Sequence, residues 1–142
     1  MASSNLALGN FTVNATYTGN SSFTGSSASA VVTVTAPVAN SAVVPSVNPN
    51  PVVRQNGSWT FTITLKDTTA TATTLTNFTV NGVSYASNIP SFFGTSKIPG
   101  DGSIAAYLQM TGLTPPANET FGFNGTDANG HQWTQNITVA FK

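Results

Sequence analysis

Apolar and polar side chains alternate along most of this chain. The segment from residue 59 to 66 places four apolar side chains on one side and three threonines with a lysine on the other: Trp59, Phe61, Ile63 and Leu65 against Thr60, Thr62, Thr64 and Lys66. A period of two predicts half-buried β-strands. Burying each such apolar side chain stabilises the fold by about 1.5–3 kcal/mol before conformational entropy is counted. The same alternation recurs at residues 11–17, 30–35, 75–80, 104–110, 121–123 and 133–141.

Turn-forming residues separate these segments. Asn81-Gly82 and the run from Asp127 to Gly130 are typical of tight turns. Residues 10–36 predict a β-hairpin with a long connection, and residues 84–103 are interrupted by proline and glycine and predict irregular chain. Short strands separated by such turns predict two facing antiparallel sheets, a β-sandwich.

A proline-rich stretch, residues 37–52, predicts a boundary between two domains. Pro45, Pro49 and Pro51 each lack the N–H donor that a central strand needs. We therefore expect a linker followed by an edge strand, which divides the chain into a hairpin at 1–36 and a complete sandwich domain at 37–142.

The first part of the chain resembles the closing half of a bacterial Ig-like repeat. The resemblance covers residues 6–35. The family's Leu-x-x-Gly lead-in corresponds to Leu6 and Gly9, and the end of its alternating strand corresponds to Ala15, Tyr17 and Gly19. Its loop phenylalanine corresponds to Phe23, and its final strand corresponds to residues 31–35. The opening strands of such a repeat are missing, which suggests a chain cut from a longer polypeptide.

The end of the chain, residues 112–141, is similar to the last hairpin of a fibronectin type III or related Ig-like domain. The matching residues are Gly112, Leu113 and Pro115 in the lead-in and Asp127 and Gly130 in the turn. Phe121 or Thr120 stands where fibronectin domains carry a corner tyrosine.

These resemblances imply an immunoglobulin-like antiparallel β-sandwich with an extra N-terminal β-hairpin. Such modules occur in bacterial surface adhesins and beside secreted hydrolases, where they act as spacers, rigidifiers or binding modules. The resemblance thus implies a non-catalytic spacer or adhesion module of a large secreted or cell-surface bacterial protein, located outside the cell beside neighbouring domains of its parent chain. The alternative is a carbohydrate-binding accessory module attached to a secreted hydrolase.

Composition narrows the possible partners. The 142 residues include four Lys or Arg and four Asp or Glu, for a net charge of zero, whereas Thr, Ser and Asn number 23, 15 and 15. Nucleic acids and anionic membrane surfaces both require a basic patch, so neither is an expected partner. The chain has no cysteine, which excludes disulfides and thiolate chemistry. It also shows neither a signal-peptide pattern nor a membrane-spanning apolar run.

The ionisable residues predict no catalytic site. His131 follows Asp127 by four residues across a predicted turn, but no Gly-x-Ser-x-Gly motif supplies a nucleophile for them. The carboxylates show no recognisable pairing of the glycosidase kind: Asp67, Asp101, Glu119 and Asp127. We therefore expect no enzyme activity.

No metal or cofactor is expected either. Asp101 or Asp127 could contribute to a calcium site with nearby carbonyl groups, but the Asp-x-Asp-x-Asp loop is absent. An intramolecular isopeptide bond needs a buried lysine. Lys66 is on the outward phase of its strand, Lys97 is in a predicted loop and Lys142 is terminal.

The remaining candidates for binding are three aromatic residues in the loop from Gly82 to Gly102: Tyr85, Phe92 and Phe93. Exposed rings in a loop on a sandwich scaffold suit sugars, so a polysaccharide or another surface protein is the expected partner. The competing and favoured interpretation is that Phe92 and Phe93 cover an open end of the sandwich, because large aromatics are usually partly buried.

The predicted hairpin also needs a partner. A lone hairpin is marginally stable in water, and its apolar face must be covered: Phe11, Val13, Tyr17, Val32 and Val34. We expect it to pack on residues 37–142 or to exchange with a second copy of the chain in a strand-swapped homodimer.

Overall fold

The computed structural model describes residues 7–36 and 39–142. These residues form mostly antiparallel β-strands, and the longest helix among them has five residues. The chain divides into two compact units, residues 1–38 and 39–142. The prediction of an all-β protein is confirmed. Its physical reason is the abundance of Thr and Val, which favour strands, over residues that favour helices.

The first unit contains a β-hairpin. Strand β1 (Gly9–Tyr17) pairs antiparallel with β2 (Ser26–Val34) in a continuous register. Their connection is fixed by Asn20, whose side-chain oxygen accepts hydrogen bonds from the backbone N–H groups of Ser22 and Phe23, each 2.9 Å long. Asparagine stabilises turns through such bonds to its own local backbone.

One face of this hairpin is apolar and exposed. Phe11 and Val13 of β1 share that face with Val32 of β2, since Phe11 lies opposite Val32 in the register. The other face carries threonine, asparagine and serine, together with the exposed Val31. The expectation that the hairpin packs on the rest of the chain or exchanges with a second copy stays a prediction, which size-exclusion chromatography tests.

The second unit contains eight strands in two sheets. They are β3 (Val43–Asn48), β4 (Trp59–Asp67), β5 (Thr73–Val80), β6 (Val83–Ser84), β7 (Lys97–Ile98), β8 (Ser103–Met110), β9 (Ala117–Asp127) and β10 (Gln132–Phe141). One sheet has the order β3-β4-β8, and the other has the order β10-β9-β5-β6 with β7 also paired to β5. The segment between β6 and β7 holds a 3₁₀ turn (Ala86–Asn88) and one short helix, α1 (Ile89–Phe93).

The core lies between these sheets. The four apolar side chains of β4 are buried, as their alternation predicts: Trp59, Phe61, Ile63 and Leu65. The ring centroid of Phe61 lies 5.5 Å from that of Phe121 on β9 and 5.5 Å from that of Phe141 on β10. Because these rings come from opposite sheets, the prediction of two facing antiparallel sheets is confirmed.

Two expectations about individual strands had different outcomes. The edge strand predicted from the prolines is confirmed, since β3 lies at the edge of its sheet with Pro45 within it. Strand β9 is longer than the predicted 121–123, because its glycines lie inside the strand and do not end it. A Cβ at Gly125 would overlap the Trp133 indole of β10, so this glycine leaves space for a neighbouring ring.

Candidate functional site

The connection between β6 and β7 carries the three aromatic residues predicted to bind a ligand. Pro90 lies in the first turn of α1, where a missing N–H costs no helical hydrogen bond. Gly94 ends the helix at a φ of 72°, and its N–H donates to the carbonyl of Pro90 at 2.9 Å. The helix contacts both β8 and β5, so it bridges the two sheets at this side of the sandwich.

The three aromatic rings have different environments. Phe93 is 6% exposed and packs edge-on against Phe78, with the ring centroids 5.8 Å apart. Phe92 is partly buried and meets both Phe78 at 5.8 Å and Tyr85 at 6.3 Å. Tyr85 is 36% exposed. Phe93 therefore belongs to the core, whereas Tyr85 and Phe92 reach the surface.

Tyr85 and Phe92 form one wall of a cleft of about 180 Å³. The floor and the opposite wall come from β5, β8 and β9: Phe78, Val80, Leu108, Gln109, Met110 and Phe121. The cleft is smaller than the roughly 300–1,000 Å³ of pockets that enclose whole ligands. It has room for one ring or one side chain, and Tyr85 and Gln109 are the two residues with polar side chains among those that line it. No acidic or basic side chain lines it.

The buried carboxylate of Asp127 organises backbone instead of facing this cleft. Its Oδ1 accepts the N–H groups of Asn129 and His131, each at 2.9 Å, and its Oδ2 accepts the N–H of Ser41 at 3.0 Å. Burial raises the pKa of Asp127, but hydrogen bonds from Ser41, His131 and Asn129 and the charge of His131 outweigh it, so the pKa is lowered. This aspartate stays ionised and holds the β9–β10 turn against the chain entering β3.

Asp67 plays a similar part at the end of β4. Its Oδ1 accepts the N–H of Ala42 at 3.2 Å and both the N–H and the hydroxyl of Thr69 at 2.9 Å. Its buried Oδ2 has no hydrogen-bond partner among the described residues. Asp67 and Asp127 thus bind neighbouring backbone amides, those of Ala42 and Ser41, and together fix the chain where it enters β3.

The His131 imidazole is not hydrogen-bonded to the carboxylate of Asp127. Its Nδ1 lies 3.9 Å from Asp127 Oδ2, beyond hydrogen-bond distance, and its side chain is 48% exposed. A general base needs a short bond to the group that orients it and a nucleophile within reach. Among residues 7–36 and 39–142, no group of three or more His, Cys, Asp or Glu side chains is arranged to hold a metal ion.

One exposed aromatic residue, Tyr107 of β8, was not among the residues predicted to bind a ligand. It is 71% exposed, the highest value among the exposed large hydrophobic side chains of residues 39–142. The signal was present in the sequence, because the alternation that places Ile104, Ala106 and Leu108 inward places Tyr107 outward. The other side chains on that outer face of β8 are Ser103, Ala105 and Gln109, so Tyr107 is its single aromatic residue.

No protein-family model matches this chain, and no curated protein sequence is significantly similar to it. Within the part of the chain that the structure describes, no helix has the length and apolar character needed to cross a lipid bilayer.

Proposed function

We propose that this chain is a non-catalytic immunoglobulin-like module that serves as a spacer or adhesion unit in a large secreted or cell-surface bacterial protein. Its strand orders support the proposal. Immunoglobulin sandwiches keep strands A, B and E in one sheet and G, F and C in the other. With β3 taken as strand A, the orders β3-β4-β8 and β10-β9-β5 correspond to A-B-E and G-F-C.

The proposal that the module is non-catalytic rests on the hydrogen bonds that its two buried carboxylates accept. Asp67 and Asp127 accept hydrogen bonds from backbone amides of their own loops and of the chain entering β3. The cleft described above has no ionisable side chain except the Tyr85 phenol. General acid–base or nucleophilic chemistry needs a titratable or activated group facing the substrate. The groups present stabilise the fold instead.

The extracellular location is supported by the character of the surface. Hydroxyl and amide side chains supply the polar faces of the strands, with few charges. The outward positions of β4 illustrate this, because they are Thr60, Thr62 and Thr64 before Lys66. Such a surface holds no charged patch that would bind nucleic acid or anionic lipid. Partners of the proposed module are then neighbouring domains of its parent chain or another surface protein.

Two measurements test this proposal. Purified protein incubated with glycoside, ester and peptide substrates is expected to give no turnover above buffer, and turnover that follows the protein through purification would overturn it. Pulling single molecules by their two ends in a force-spectroscopy experiment is expected to show the sandwich unfolding as one unit. Residues 39–142 number 104, which extend to about 340–370 Å at roughly 3.3–3.6 Å per residue. A single unfolding step that lengthens the chain by somewhat more than about 300 Å is expected. Gradual extension at low force would contradict a spacer that resists tension.

The cleft beside Tyr85 and Phe92 favours a second candidate function, a carbohydrate-binding module that accompanies a secreted hydrolase. Two rings at the surface with centroids 6.3 Å apart are suited to a sugar ring, which offers an apolar face to an aromatic side chain. Phe93 does not take part, since it is buried against Phe78. Retention on insoluble cellulose, chitin or mannan in a pull-down tests this function, and passage of all protein into the supernatant contradicts it.

A further inference from the structure

We propose that Asn56 is a modification site, at which the side-chain amide is lost through attack by the backbone nitrogen of Gly57. Glycine favours this reaction at the asparagine before it, because it has no side chain to shield the attacking nitrogen. Four asparagines of the chain are followed by glycine: Asn56, Asn81, Asn124 and Asn129. They differ in what holds each asparagine side chain, and that difference points to Asn56.

The reaction requires water as its only co-reactant. The Gly57 nitrogen forms a bond to Cγ of Asn56 and passes its proton to the amide nitrogen, which leaves as ammonia when its bond to Cγ breaks. Water then adds to either carbonyl of the resulting succinimide and opens the ring to aspartate or isoaspartate. No electron is transferred. The chain, whose net charge is zero, gains one negative charge.

Two of the four pairs lie in turns of the same backbone type. The Asn56–Gly57 turn has φ angles of 49° and 86°, and the Asn81–Gly82 turn has φ angles of 48° and 82°. Positive φ at both central residues is typical of the two-residue type I′ hairpin turn. All four residues are exposed, and a Cβ at either glycine would meet open space. We therefore expect side-chain contacts to decide which asparagine reacts.

The side chains of these two asparagines are held differently. Asn81 Oδ1 accepts the N–H of Thr120 at 2.9 Å, and its Nδ2 donates to the carboxylate of Glu119. The Asn56 side chain makes no hydrogen bond to any residue that the structure describes. Because both bonds must break before Cγ of Asn81 can turn toward the next backbone nitrogen, Asn81 is restrained and Asn56 is not.

The other two pairs are restrained as well. Asn124 lies inside β9, and its Nδ2 donates to the hydroxyl of Thr134 at 2.7 Å. Asn129 Nδ2 donates to the carbonyl of Ala39 at 3.2 Å, and the N–H of Gly130 donates to a carbonyl of its own turn at 3.0 Å. At this last pair, the attacking nitrogen and the amide that it would attack are both already bonded.

Incubation of the folded protein at mildly alkaline pH, followed by anion-exchange chromatography and peptide mapping by mass spectrometry, tests the proposal. A sample unfolded in urea and incubated in parallel gives the reactivity of each pair without the fold. We expect the ratio of folded to unfolded rate to be at least about tenfold higher at Asn56 than at Asn81. Two hydrogen bonds that together stabilise the Asn81 side chain by about 1.4 kcal/mol correspond to that factor.

Two variants locate the reaction. Asn56→Asp carries the product charge from the start and tolerates a positive φ as asparagine does, so the first acidic species of the unmodified protein is expected to be missing from it. Glu119→Ala removes one of the two bonds on Asn81 and is expected to raise the rate at Asn81 about fivefold, with no change at Asn56.

Three results would overturn the proposal. The first is a rate ratio at Asn56 no higher than that at Asn81. The second is earlier conversion at Asn124 or Asn129 than at Asn56 in the folded protein. The third is a folded protein that forms no acidic species under conditions in which the unfolded chain does. The spacer proposal is independent of all three.

Discussion

Replacement of Phe61 by alanine tests the central physical claim, that two sheets are held together through a shared aromatic core. Phe61 is 1% exposed and lies on the inward side of β4. Its ring meets Phe121 and Phe141, both on the opposite sheet, at centroid distances of 5.5 Å.

The expected loss of folding stability follows from the burial of Phe61 and from its two ring contacts. Truncating a fully buried phenylalanine to alanine costs about 3–5 kcal/mol, which includes the cavity left behind. Each well-placed aromatic pair contributes about 0.5–1.5 kcal/mol beyond area burial, so Phe61 belongs at the upper end, about 4–5 kcal/mol. Since domains of this size are stable by about 5–15 kcal/mol, the variant is expected to be marginally folded.

Urea unfolding followed by tryptophan fluorescence measures this loss. With a slope of about 2 kcal/mol per M, the midpoint is expected to fall by about 2 M. Tyr107→Ala is the control, because that ring is exposed on the same sandwich. It should change the free energy of unfolding by less than about 0.5 kcal/mol. A loss below about 1 kcal/mol for Phe61→Ala would show that the sheets do not share this core, and the reasoning would fail.

Three further predictions concern single interactions. The folded pKa of Asp127 lies below the ordinary value of 3.8, so its contribution to stability is present above that value and is lost as the pH falls below it. Urea unfolding between pH 7 and pH 2 should show this loss, and Asp127→Asn should lower stability at pH 7 and flatten the acid dependence. Gly125→Ala is expected to cost about 1–3 kcal/mol by overlap with Trp133, with a shift in tryptophan emission, and an unchanged melting temperature would contradict it. Trp59→Phe removes the 2.9 Å bond from Nε1 to the carbonyl of Lys142 and should cost about 1–3 kcal/mol, measured by thermal unfolding, whereas a neutral result would mean that water replaces the bond.

The local alternation of side chains determined much of the fold. Each apolar residue of β4 faces inward because successive side chains on a strand point to opposite faces. Pro45 lacks the N–H donor that a central strand needs and so indicated that β3 is an edge strand. The alternation would also have identified Tyr107 as an outward ring. These features depend on residues within a few positions of one another, so the sequence alone contains them.

The tertiary structure decided the remaining features of the fold and the site, because they depend on residues that are distant in the chain. Phe92 and Phe93 are adjacent and chemically identical, but Phe93 is buried against Phe78 whereas Phe92 reaches the cleft. Asp67 and Asp127 are 60 positions apart and bind consecutive backbone amides, which no local spacing indicates. Strand β9 runs through its glycines because a tryptophan from β10 fills the space above one of them. Periodicity determines which way a strand side chain points, but burial in irregular chain and the partners of a buried charge are decided by which distant segments the fold brings together.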